Sequence, residues 1–152
     1  EIFGESSQAI AEKFMAAQEK GLVPVLCLGE TLEQRDQGET EETVLAQLDT
    51  VLAAAGVEAI AECVLAYEPI WAIGTGETAS PEQAQQVHKV IREHVAGQDA
   101  GVAEGLRILY GGSVRETNAK TLFSQPDIDG GLVGGASLDV EQFAAICASM
   151  EF

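Results

Sequence analysis

Four short apolar runs punctuate the chain: Leu22 to Leu28, Cys63 to Tyr67, Leu106 to Tyr110 and Gly131 to Val133. Each ends at a glycine or at Glu68-Pro69. Continuous rather than alternating hydrophobicity is the pattern of a strand covered on both faces, as in a parallel sheet, although a buried helical segment of that length gives the same pattern. The intervening stretches separate the two. Ser6 to Lys20, Thr40 to Ala55, Pro81 to Ala96 and Asp139 to Ser149 are rich in alanine and glutamine, with apolar residues at helical spacing such as Val87, Ile91 and Val95. They predict amphipathic helices. Shorter helices are expected at Thr31 to Gln37 and Arg115 to Phe123, with Gly21, Gly38 and Gly97 as stops. Ser80, Pro81 and Glu82 supply an N-cap, an N1 proline and an acidic first turn.

The order is therefore one helix followed by four strand-helix units. Strands alternating with helices imply right-handed crossovers and a parallel sheet, either open and doubly wound or part of a (β/α)8 barrel. No linker or low-complexity segment divides the sequence, so residues 1–152 are expected to form a single domain.

Composition narrows the partners. With 25 acidic against 8 basic residues the formal charge is −17, which repels nucleic acid and anionic membrane surfaces. A small anion would be repelled too, so a phosphate site here must depend on local backbone N–H groups. No stretch approaches the roughly 18 apolar residues of a membrane span and the first residues do not read as a signal peptide, so a soluble protein is expected. Cys27, Cys63 and Cys147 are odd in number and lack metal-type spacing. Neither a disulfide framework nor a zinc site is expected, a reducing cytoplasm fits best, and no cofactor is called for.

The most informative stretch is Ala66-Tyr67-Glu68-Pro69-Ile70-Trp71-Ala72-Ile73-Gly74-Thr75-Gly76, an apolar strand running into a carboxylate and an unusual loop. A lone Glu at a strand end is ordinarily a solvated rim residue. Here Pro69 stiffens one end of the loop, Gly74 and Gly76 free the other, and Trp71 and Ile73 offer apolar bulk to cover a cavity. Closure of such a lid would exclude water and raise the pKa of Glu68, suiting it to abstract a proton from carbon beside a carbonyl. Further on, Leu109-Tyr110-Gly111-Gly112-Ser113 is echoed by Leu132-Val133-Gly134-Gly135-Ala136. Paired glycines after a strand are either ordinary tight turns or a phosphate cradle, and two at consecutive strand ends favour the cradle. His88 and His94 fall on one predicted helix, six residues apart, and are expected on its surface.

In Ala66 to Gly76, Tyr110 to Val114 and Leu132 to Ser137 the chain resembles the triosephosphate isomerase family, in its order and spacing. The similarity runs from Phe3-Gly4-Glu5-Ser6 through Val25-Leu26-Cys27-Leu28-Gly29-Glu30 to the C-terminus. The resemblance implies a parallel α/β TIM barrel, (β/α)8, here its C-terminal part of about four strand-helix units. It implies isomerisation of a triose phosphate through an ene-diol, in glycolysis and gluconeogenesis, with Glu68 as base and Pro69 to Ala79 as lid. Gly74, Ser113, Gly134 and Gly135 would donate to the substrate phosphate. Tyr110 and Ser113 would hydrogen-bond the closed lid, and Ile73 with Leu132 would clamp Glu68. Glu5 and Glu30 match structural positions. Glu77 stands where the family usually has lysine. The family's active-site lysine and electrophilic histidine lie in segments after its first and fourth strands, and neither segment has a counterpart in this sequence. A homodimer is implied for the complete enzyme, and this chain alone is expected to be truncated, to leave sheet edges open and to be inactive.

Overall fold

The computed structural model describes residues 4–75 and 77–150. Helix α1 (Ser7–Glu19) precedes β1 (Val25–Leu28), after which come α2 (Leu32–Asp36), α3 (Thr40–Ala55) and α4 (Val57–Ala61). Strand β2 (Val64–Tyr67) leads through a 3-10 turn, Ile70–Ala72, to α5 (Pro81–Ala96) and α6 (Ala100–Gly105). Strand β3 (Arg107–Tyr110), α7 (Ala119–Phe123), β4 (Gly130–Gly131), a second 3-10 turn at Gly135–Leu138 and α8 (Val140–Ala148) complete the order. The four strands are parallel and lie side by side in chain order.

Strand register explains which face is covered. Leu26, Leu65 and Ile108 lie in one row across β1, β2 and β3, and Leu28, Tyr67 and Tyr110 in the next but one. All six are buried together with the apolar stripes of α1, α3 and α5, among them Phe14, Leu48, Val51, Val87 and Ile91. The alternate rows point the other way. Val25 is 48% exposed, and Cys27 and Arg107 are also exposed. Helices thus cover one face only, which selects the barrel over the doubly wound sheet, because a barrel turns its second face inward. The expectation that the strands are covered on both faces fails for β1, whose residues alternate exposed and buried. Its leading residues Leu22 and Val23, read as strand, lie outside β1 and are 63% exposed each.

Two helices escaped the pattern, α4 and α6. Each has five or six residues, too few for a periodic stripe to emerge. The helix expected from Arg115 starts only at Ala119. Of the glycine stops, Gly21 (φ +73°) and Gly38 (φ +78°) are left-handed, whereas Gly97 remains right-handed at −63°. The α5 start matches its reading. Ser80 Oγ accepts from Gln83 N, Gln83 Oε1 accepts from Ser80 N, and Pro81 occupies the first turn. This reciprocal cap fixes where the residues following Glu68 rejoin the scaffold.

Candidate active site

The site grows out of the carboxyl ends of the strands. Glu68 directly follows β2, and its N–H donates to Leu28 O at 2.7 Å, continuing the ladder one residue past the strand. Gly111 N does the same to Tyr67 O at 2.8 Å, and Leu132 N to Tyr110 O at 2.9 Å. The three residues are thereby held at adjacent strand mouths by backbone alone.

Two glycines enclose Glu68. A Cβ on Gly29 would lie 1.9 Å from Glu68 O, and one on Gly111 would lie 2.4 Å from Glu68 Cγ. Neither position accepts a side chain without displacing the glutamate. Gln47 secures Gly29 from α3, accepting from its N–H and donating to its carbonyl, both at 2.9 Å. Gly112 is close-packed for a different reason, since a Cβ there would meet Tyr110 Oη at 2.2 Å. At Gly134 and Gly135, by contrast, a Cβ would meet nothing within 4 Å. The two glycine pairs therefore differ. The first makes room for Glu68 and Tyr110, and the second leaves an open wall.

The loop from Pro69 to Ala79 is anchored at each end. Near its start Trp71 donates its indole N–H to Glu30 Oε1 at 2.9 Å, beneath the Arg35 guanidinium at 4.8 Å. Glu30 is fully buried and its Oε1 also accepts from Arg35 Nη1 at 3.2 Å and Tyr67 Oη at 3.1 Å. Burial, followed by the Glu30 charge, drives the Tyr67 hydroxyl far above the ordinary phenol range, so it remains a donor. Ser113 Oγ donates to Ala72 O at 2.9 Å. At the other end Ala79 N donates to Tyr110 Oη at 3.2 Å, and Thr78 Oγ1 donates to Ser113 O at 3.2 Å. Gly74 has φ +68°, a left-handed conformation suited to glycine. Gly76, expected to share the hinge, lies outside the described residues.

A cavity of about 630 Å³ opens beside Glu68, lined by Ile73, Gly74, Ser113, Leu132, Gly134 and Gly135 among others. Seven of the residues singled out from sequence thus meet at one place. Pro69, Trp71 and Tyr110 do not line it. Trp71, expected to lend apolar bulk over the cavity when the loop swings, here donates to Glu30. A second cavity, of about 280 Å³, lies on the β1 side of Glu68 and includes Cys27 and Gln47. There Cys27, though exposed as a residue, has its thiol pushed up to about 12 by partial burial, then by the charge of Glu68 and a hydrogen bond to it.

The two histidines do not share the surface position their spacing implied. His88 is not at the surface. It is fully buried, packed against the last residues of β2 and β3, Tyr67 and Tyr110. His94 is partly exposed, its Nε2 2.6 Å from Asp49 Oδ1. At the start of α7 Lys120 is exposed, and Asn118 holds the preceding turn, accepting from Arg115 N and donating to Ser113 O. Sequence reasoning also missed Arg115, which lines the large cavity, because it was absorbed into a predicted helix. Thr78 and Gln47 carry no motif and were invisible without coordinates.

A parallel sheet with helices on one face, a carboxylate at a strand's carboxyl end and glycine turns at the next two strand ends define an enzyme-type partial (β/α) barrel. Residues 1–150 match the family model described as triosephosphate isomerase. Among curated proteins, the triosephosphate isomerase of Nitrosomonas europaea is 56% identical over 150 residues, 99% of this chain and 60% of that protein. That of Thiobacillus denitrificans is 60% identical over 146 residues, 96% of this chain and 59% of its own length. That of Pseudomonas savastanoi pv. phaseolicola is 58% identical over 147 residues, covering 97% and 59%. The chain belongs to the triosephosphate isomerase family, and it spans about 60% of the length of the curated relatives it matches.

Proposed function

We propose that this chain contributes the base, lid and phosphate cradle of a triosephosphate isomerase interconverting dihydroxyacetone phosphate and glyceraldehyde 3-phosphate. Glu68 takes a proton from the carbon beside the substrate carbonyl, giving an ene-diol, and returns it to the neighbouring carbon. Backbone N–H groups of Gly74, Ser113, Gly134 and Gly135 hold the phosphate, with Arg115 adding a cation at the rim. Neutral dipoles suit a protein of charge −17. Ile73 and Leu132 flank the base on its apolar side, and the Pro69 to Ala79 loop excludes water while the ene-diol exists.

The observation that carries this reading is the meeting of Glu68, the lid glycine Gly74 and the Gly134-Gly135 turn on one cavity. The chain acts as one domain, and its active form includes a lysine and a histidine that polarise the carbonyl from residues outside this sequence. We place the whole enzyme in glycolysis and gluconeogenesis, as a cytoplasmic homodimer. One competing reading is a half-barrel that binds phosphate esters on the same cavity without turnover.

Glyceraldehyde 3-phosphate incubated with this chain alone, and with the chain mixed with the N-terminal half of a relative, separates these possibilities. Conversion only in the mixture is expected. Conversion by the chain alone contradicts the requirement for outside groups. Binding without conversion in either arm supports the non-catalytic half-barrel.

A further inference from the structure

His88 takes no part in the chemistry above, yet it occupies a singular position. It lies on the buried face of α5 at 0% exposure, and its ring meets Tyr67 at 5.9 Å and 85° and Tyr110 at 6.5 Å and 41°. The two tyrosine rings are 6.3 Å apart. Each tyrosine holds a different end of the loop over Glu68. Tyr67 Oη donates to Glu30 Oε1, the oxygen that also accepts from Trp71 at the loop's start. Tyr110 Oη accepts from Ala79 N at its finish.

The ring is itself fixed. Its Nδ1 is 3.1 Å from Asp127 O, and because a carbonyl only accepts, that nitrogen carries the hydrogen. Nε2 is then bare and has no hydrogen-bond partner among the described residues. Asp127 is immobilised in turn by Arg92 and Gln85, and Arg92 also holds Asp129. The charged groups around His88 are thus locked to one another, and the imidazole faces the tyrosines as a neutral wall. Burial, the largest influence, lowers its pKa to about 4, against weaker upward pulls from the Asp127 carbonyl and Asp129.

We propose that His88 is a positioning residue whose imidazole forms a shared wall against which Tyr67 and Tyr110 both pack, and thereby makes the two lid anchors loosen together. The inference rests on the reading of Pro69 to Ala79 as a lid. It does not require turnover, and so is tested apart from it.

Trp71 is the chain's single tryptophan, so acrylamide quenching of its emission reports the first anchor, and hydrogen exchange of the Ala79 amide reports the second. His88→Asn retains a donor for Asp127 O and removes most of the ring. It is expected to raise Ala79 exchange and Trp71 quenching together, each by about two- to tenfold, the order of a lost ring contact. The ladder amides of Glu68 and Gly111 should keep their protection. His88→Phe forfeits the bond to Asp127 O but keeps a ring against both tyrosines, and both anchors should stay protected. Loosening of one anchor alone in His88→Asn overturns the proposal. So does parallel loss of ladder protection, which marks a purely structural role. If His88→Asn does not fold, His88→Phe decides, because loosened anchors with an intact ladder in that variant also overturn it. Coupled anchors in a chain that fails every isomerase assay would leave this inference standing and remove only the reading of the reaction.

Discussion

Gly111→Ala is the sharpest small perturbation of the site. The added Cβ would lie 2.4 Å from Glu68 Cγ, 3.1 Å from Oε1 and 3.2 Å from Cδ. Ordinary contact begins at 3.4 Å, so the glutamate side chain must retreat by about 1 Å. Retreat is open to it because cavities lie on both sides. The backbone ladder through Gly111 N and Tyr67 O need not break, which limits the loss of stability to about 1 kcal/mol, the low end for an added methyl in a packed place. Misplacement of a base by that distance lowers turnover by roughly 100-fold. The assay is isomerisation of glyceraldehyde 3-phosphate by the mixture of this chain with an N-terminal half, alongside urea unfolding of the chain. A large fall in kcat with a small shift in midpoint is expected. Unchanged kcat would refute the placement of Glu68 as the reacting group, and a collapse of stability would show that the backbone, not the side chain, yields.

The remaining predictions concern packing and titration. Leu48→Ala should destabilise the chain by about 2–5 kcal/mol in urea unfolding, because Leu48 is fully buried in the core. His88 has a folded-state pKa lowered by burial to about 4, so the fold favours its neutral form. Its contribution is complete above the unfolded value of about 6.5 and is lost as pH falls toward about 4, by up to about 3 kcal/mol. Comparing urea midpoints across that window with those of His88→Asn should isolate the loss, and identical acid profiles would refute it. Among the three thiols, Cys147 and Cys27 are exposed and Cys63 is buried, but Cys27, like Cys63, is pushed up to about 12. A disulfide reagent near neutral pH should label Cys147 first by a wide margin, and rapid labelling of Cys27 would contradict its pairing with Glu68.

Much of this architecture was legible because local signals agreed with one another. Val87, Ile91 and Val95 repeat at helical spacing behind a Ser-Pro-Glu start, and α5 forms with that cap. The strand-glycine endings located the mouths of β1 and β3 and Glu68-Pro69 that of β2, whereas β4 stops at Gly131, two residues before the end of its apolar run; the seven residues on the large cavity were read from the motifs that follow β2, β3 and β4. What remained hidden depends on contacts between distant segments. His88 has the same polar character in sequence whether it faces water or two tyrosines, and only its register on α5 with the ends of β2 and β3 buries it. The distinct tasks of the two glycine pairs could not be separated either, since Gly111 is small because of Glu68, 43 positions earlier in the chain. Continuous apolar runs suggested strands covered twice, whereas Val25 and Cys27 face away from the helices. An apolar inner face of a barrel and a doubly covered strand read alike in one dimension.

The central claim is that Glu68 moves the proton. In D2O, the mixture of this chain with an N-terminal half should exchange the abstracted hydrogen of dihydroxyacetone phosphate, and Glu68→Gln should slow both exchange and isomerisation by about 100- to 10,000-fold with folding intact. Exchange and isomerisation continuing at the unsubstituted rate in Glu68→Gln would contradict it.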